Sequence, residues 1–124
     1  MGDFTPIHKP GQAVTMTVTA TVTGGQLVDV VGDYQAAPAA AGSAKVVGQA
    51  SRDAVAGELI AIHMPSKTIT EATASGALVA GDHVKSAAGG KITKFTVGTD
   101  PETQRIGLVI KGASDGQPAR YQPA

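Results

Sequence analysis

From Val14 to Thr23 apolar and polar positions alternate without a break. Val14, Met16, Val18, Ala20 and Val22 fall on one side, and Thr15, Thr17, Thr19, Thr21 and Thr23 on the other. Period two is the repeat of an extended chain, so residues 12–23 are expected to form a strand with one wet face. Gly24-Gly25 ends it. The same reading predicts strands at 27–31, 46–50, 59–64, 67–73, 84–87, 92–97, 106–111 and 119–121. A strand edge running into a loop is expected over 35–44, with turns at Gly32-Asp33, Ala56-Gly57 and Gly89-Gly90. Asp100-Pro101-Glu102 fits the start of one helical turn, with Asp as cap and Pro in the first position. No segment sustains a helical period. Many short strands between Gly-rich turns predict an all-β chain, a small β-sandwich or barrel.

The pattern also repeats. Gly25-Gln26-Leu27-Val28 returns as Gly81-Asp82-His83-Val84. Gly48 and Gly57 return as Gly107 and Gly116, both by one common displacement that is slightly longer than the step from Gly25 to Gly81. The second copy therefore carries a short insertion, expected around Thr99–Thr103. The chain reads as two similar β units, pseudo-repeats at about 24–64 and 80–121, within a single β domain over 12–124. Residues 1–11 read as an extended N-terminal arm, because Pro6 and Pro10 exclude helix and hold the residues before them extended. Phe4 and Ile7 in that arm have nothing apolar beside them.

Composition narrows the function. The 124 residues suffice for one modest core, yet aromatics make up 3% and the 42% apolar content is mostly Ala and Val. Neighbouring subunits are expected to supply missing burial. The formal net charge is zero and Lys and Arg are scattered, which argues against binding nucleic acid or an anionic membrane. There is no cysteine, hence no disulfide and no thiolate metal site. No stretch has the length of a membrane span and none has the form of a signal peptide, so synthesis in the cytoplasm is expected.

The residue types of catalysis lack catalytic spacing. His8, His63 and His83 show no paired metal-ligand spacing, and most of the aspartates fall at expected turns, where Asp bonds its own backbone. Gly89-Gly90-Lys91 lacks the remaining elements of a phosphate loop. No nucleophile stands on an elbow motif. The chain is expected to be a non-enzyme, without metal or cofactor. The threonine ladder could match ordered water as ice-binding surfaces do, but that needs several strands and one carries it. A solvent-facing strand or subunit packing suits it better.

Gly11-Gln12-Ala13-Val14-Thr15, Gly24-Gly25-Gln26-Leu27-Val28, the block Val46–Glu58, Val79-Ala80-Gly81-Asp82-His83-Val84 and Ile106-Gly107-Leu108-Val109 together resemble the tailed-phage head decoration proteins, also called capsid cement proteins. The block Gly48–Glu58 is the most specific part. The proline-containing arm and the segment Thr99–Arg105 depart from the family pattern. The resemblance implies a virion structural protein that binds the exterior of the expanded head and bridges major capsid protein subunits. It also implies a homo-oligomer, most often a trimer. Phe4, Ile7 and His8 of the arm, with Thr15, Thr17 and Thr19, are the expected capsid or subunit contacts. The competing expectation is a free-standing receptor- or carbohydrate-binding β module, for which Tyr34 and Tyr121 are the only tyrosines available as a sugar platform.

Overall fold

The computed structural model describes residues 13–64 and 69–123. The expected arm, with Phe4, Ile7 and His8, lies outside the described residues. The described chain is all-β: β1 Ala13–Val18, β2 Leu27–Gly32, β3 Gln35–Pro38, β4 Val46–Ala50, β5 Leu59–His63, β6 Thr70–Thr73, β7 His83–Ala87, β8 Lys91–Lys94, β9 Gly107–Lys111 and β10 Pro118–Pro123. The first five strands close into a barrel in the order β1-β3-β2-β4-β5, and the second five form a sheet in the order β6-β10-β9-β7-β8.

The second sheet is the first one again. In the first, β1 runs antiparallel to β5 with Met16 opposite Ile60, and β2 pairs with β4 with Val28 opposite Gly48. In the second, Ala72 stands opposite Ala119 and Val84 opposite Gly107, which are the same positions carried forward by the displacements of the sequence repeat. The closing seam is parallel in both. Val18 meets Ala36 in the first ring, and Ala74 meets Ile92 as an isolated bridge in the second. The corner bridge Val22–Ala54 returns as Leu78–Ala113. The second sheet is thus a barrel of the same order, closed at one point rather than along a strand pair. The displacement changes between Phe95 and Gly107, where a short 3₁₀ turn, Glu102–Gln104, supplies the added length.

Each ring has its own core. Val14, Met16, Val18, Val28, Ile60 and Ile62 fill the first; Val84, Ile92, Val109, Ala119 and Tyr121 are in the second. Fully burying a Val, Ile or Leu contributes about 1.5–3 kcal/mol each, so these short strands are held by inward faces rather than by length. Leu27 and Ala39 leave the first ring and pack into the second core, which joins the two units.

Three expectations are corrected. The first strand ends at Val18, not Thr23, because the chain bends at Thr19-Ala20 to turn the barrel corner. Ala20 is therefore exposed, and Val22 regains the core only through its bridge to Ala54. The strand expected at 92–97 stops at Lys94; the Phe95 amide still donates to the His83 carbonyl in register with β7, and the chain turns from Val97. Asp100 does not cap the helical turn. Pro101 is the cap residue, with no side-chain hydrogen bond.

Candidate functional surface

The junction between the rings is the most constructed feature of the described chain. The hairpin tip of the second ring, Gly89-Gly90, sits on the start of β2. The Leu27 amide donates to the Gly90 carbonyl at 2.9 Å, and Gln26 Nε2 donates to the Gly89 carbonyl at 2.7 Å. Beside this, Asp29 is buried yet fully used. Its carboxylate accepts from Ser43 Oγ at 2.7 Å and from the Ala40 amide at 3.1 Å. Ser86, buried in the second ring, accepts from the Ser43 amide and donates to the Ala40 carbonyl. Buried polar groups hold their place only when bonded, so this network fixes one relative placement of the loop 39–45 and β7. On the other side Gln49 Nε2 bridges the carbonyls of Gly25 and Glu71, both at 2.8 Å.

The threonines predicted as contacts occupy the outer face of the first ring. Thr15 is exposed and stands opposite Ala61; Thr17 is half-buried and stands opposite Leu59. Thr19 is exposed beyond the end of β1, so it does not continue their row. With Leu59 and Ala61, Thr15 and Thr17 form an uncharged strip. At the equivalent place in the second ring, Glu71 stands opposite Arg120 and pairs with it at 3.2 Å. The two rings therefore share a backbone and differ in the chemistry of the same outer face. Leu59 is 64% exposed, an apolar addition to the strip that the threonine alternation did not reveal. Its signal was the alternation of β5, which turns Ile60 and Ile62 inward and Leu59 outward.

The extra residues of the second unit are anchored by charge. Asp100 accepts from the Thr96 amide at 2.8 Å and from Lys85 Nζ at 3.0 Å. The Thr96 amide, then the Lys85 ammonium, hold its carboxyl below the usual range. Both charges of the pair are spent on each other in a groove of about 450 Å³ that also holds Ser86, Thr93 and Gln104. A second open cleft of about 370 Å³ lies between Thr23–Gln26 and the β6–β8 side of the second ring, with Glu71 and Lys91 on its walls.

His63 is exposed on the outer face of β5; His83 is half-buried at the start of β7, with Nδ1 lacking a partner among the described residues. They lie in different rings and are not brought together. Among the described residues no cluster of three or more His, Cys, Asp or Glu could hold a metal ion. No helix among them is long and apolar enough to cross a membrane. Tyr121 is buried in the second core, which removes it as a sugar platform; Tyr34 remains 54% exposed.

No family model and no curated protein matches this chain. Among solved structures it is similar to the crystal structure of the head fiber gp8.5 N base of bacteriophage phi29, with a TM-score of 0.70 and 18% identity. The match covers 91% of this chain and 93% of that one. At this identity the likeness establishes a shared fold, and it takes in both rings.

Proposed function

We propose that this chain is a structural protein of a tailed-phage virion that attaches to the exterior of the head. The observation that carries the reading is the likeness, across almost the whole of both chains, to the base of a phage head fiber. The residue blocks that resemble head decoration proteins point the same way. In this reading the protein bridges major capsid protein subunits as a homo-oligomer, with a trimer the first choice. It acts without catalysis, metal or cofactor, is made in the host cytoplasm and is carried on the capsid surface.

The mechanism is linkage. A protein that binds the expanded lattice and not its precursor stabilises the expanded state by its binding free energy. Many copies on one shell multiply the effect, because each bridge makes neighbouring capsid contacts intramolecular. The strip of Thr15, Thr17, Leu59 and Ala61 suits such a contact, since its own side chains carry no charge and the neighbouring Arg52 guanidinium is already bonded to the Leu59 carbonyl and paired with Glu58. The arm holding Phe4, Ile7 and His8 is the second proposed contact.

Co-sedimentation of the purified protein with undecorated expanded heads, with unexpanded proheads as control, tests the proposal. Saturable binding to expanded heads alone is expected. Absence of binding to either particle would reduce the resemblance to shared architecture and turn attention to a free-standing binding module.

A further inference from the structure

The second ring is sealed less fully than the first, and the difference lies at the ring junction. In the first ring the Thr17 amide donates to the Tyr34 carbonyl and the Thr19 amide to the Ala36 carbonyl, both at 2.9 Å, which seals β1 on β3. Carried forward by the step from Gly25 to Gly81, these bonds would join Thr73 to Gly90 and Ser75 to Ile92. The second of them is present, at 2.7 Å. In place of the first, the Gly90 carbonyl accepts from the Leu27 amide of the first ring. Where the seam stays open lies the cleft of about 370 Å³, with Glu71, Ala72 and Thr73 on one wall and Gly89, Gly90 and Lys91 on the other.

The open edge of this cleft offers donors. Ala74 faces β10, donating to the Gln117 carbonyl and accepting from the Gly116 amide, and Ala72 stands opposite Ala119. The alternation of an antiparallel pair then turns the Glu71 and Thr73 amides away from β10, toward the cleft. Neither amide has an acceptor among the described residues. The carbonyls around them are taken: Gly25 and Glu71 by Gln49 Nε2, Gly89 by Gln26 Nε2, and Gly90 by Leu27. Amides two residues apart on a strand are separated by about 6.6 Å, the spacing of alternate carbonyls in an extended chain. The edge therefore fits an extended segment that accepts hydrogen bonds without having to donate any.

Residues 1–12 meet that requirement. Pro6 and Pro10 have no amide to donate, hold the residues before them extended and keep their carbonyls as acceptors. They also start from the right place. β1 runs antiparallel to β5, so the chain enters β1 at the end from which β5 leaves for the second ring. Ala13 and Gln49 both pair with His63. That sets them two strand spacings apart, about 10 Å. Gln49 in turn already bonds the Glu71 carbonyl. Residues 1–12, when extended, span up to about 40 Å, more than the distance needed.

We propose that residues 1–12 occupy this cleft of their own chain as an added strand, accepting from Glu71 and Thr73 in place of the carbonyl that the ring junction diverts. Pairing through the backbone leaves alternate side chains of the arm facing outward, available for the contacts proposed above. The inference does not depend on head binding.

Hydrogen exchange in the full chain and in a chain lacking residues 2–10 tests it. The Glu71 and Thr73 amides are expected to exchange about tenfold faster, or more, in the shortened chain, while Ala72, which faces β10, keeps its protection and reports that the ring is folded. Equal rates at Glu71 and Thr73 in the two chains overturn the proposal. A second measurement uses the whole protein. The chain has no cysteine, so a nitroxide on Thr5→Cys labels the arm alone. It is expected to broaden the amide signals of Thr73 and Lys91 in a dilute sample. Unbroadened signals overturn the proposal, as does broadening that vanishes on dilution, which would put the arm of another copy in the cleft.

Discussion

Gly48 lies directly under the carbonyl oxygen of His63, so close that a Cβ at position 48 would overlap it and would stand 2.9 Å from Ile62 Cγ2. Gly107 repeats the arrangement against Gln122 and Tyr121, with the Gln122 carbonyl oxygen 2.6 Å from the same imagined atom. The glycines that make the repeat visible in the sequence are therefore those that let β4 close on β5, and β9 on β10. Space is the constraint, not φ, since neither residue has the left-handed backbone of Gly57 or Gly116.

Gly48→Ala and Gly107→Ala are accordingly expected to destabilise the fold by about 1–3 kcal/mol each, as overpacking against backbone does. Gly57→Ala separates the two causes. Nothing lies within 4 Å of its imagined Cβ, but its φ is 95°. Its cost, about 1–2 kcal/mol, comes from the left-handed conformation alone. Urea denaturation measures all three. Equal, negligible losses at positions 48 and 107 would show that the strands simply move apart.

Asp29→Ala leaves Ser43 Oγ and the Ala40 amide without their acceptor in a buried site. The expected loss is about 1–3 kcal/mol, the cost of stranding buried donors. Asp29→Asn keeps one acceptor oxygen and is expected to lose less. The Arg120–Glu71 pair is the contrast. Both side chains are more than half exposed, and Glu71→Gln is expected to cost less than about 1 kcal/mol. Denaturation curves that reversed this order would mean the buried network is not what fixes the junction.

Much of this fold was legible in the chain, for identifiable reasons. Strands such as β5 and β7 carry period-two burial, and Gly48 and Gly107 recur because crowding allows no other residue. What the sequence hid was pairing at a distance. Leu27 reads as a core residue of its own unit, yet it packs into the second ring. Ser43 and Ser86 read as loop and strand polars, and only the fold brings them within 2.9 Å. The unbroken alternation of residues 12–23 misled for a related reason. Local period cannot see that a small ring must bend at Thr19-Ala20 to close. The face of Thr15 and Thr17 was legible as wet; its uncharged neighbours on β5 were not assigned to it.

The stability of the protein is expected to depend on pH at both ends. Asp100 has its carboxyl held below the usual 3.8 by the Thr96 amide and Lys85, so its contribution is present above that value. It is lost as the pH falls through the lowered one. Burial pushes the Tyr121 hydroxyl above its usual 10.0. Its neutral form is favoured in the fold, so stability falls as the pH rises above the ordinary value toward the raised one. Melting temperature against pH should show both limbs. Asp100→Asn is expected to flatten the acid limb, and Tyr121→Phe the alkaline one.

Removing residues 2–10 tests the arm on its own. The described fold begins at Ala13, with β1 paired along its length to β5, so a folded protein is expected. Weak occupancy of expanded heads by this truncation would assign a binding role to Phe4, Ile7 and His8. Normal occupancy would leave the contact to the ring surface.

The ring surface can be tested with the protein's own chemistry. Thr15 and Ala61 stand opposite each other as Glu71 and Arg120 do in the second ring, and the second pair shows that this backbone accepts an ion pair there. The double variant Thr15→Glu, Ala61→Arg should therefore fold, with a stability change of about 0.5 kcal/mol or less, since Thr15 is exposed and half-buried Ala61 holds the register position at which Arg120 reaches solvent. If the uncharged strip meets the capsid, covering the new charges removes them from water without partners designed for them. Saturating occupancy on expanded heads should then fall well below that of the parent, while the melt is unchanged. Occupancy equal to the parent's would take the strip out of the interface. A melt lowered by several degrees would instead mean that the two outer faces are less interchangeable than their shared register implies.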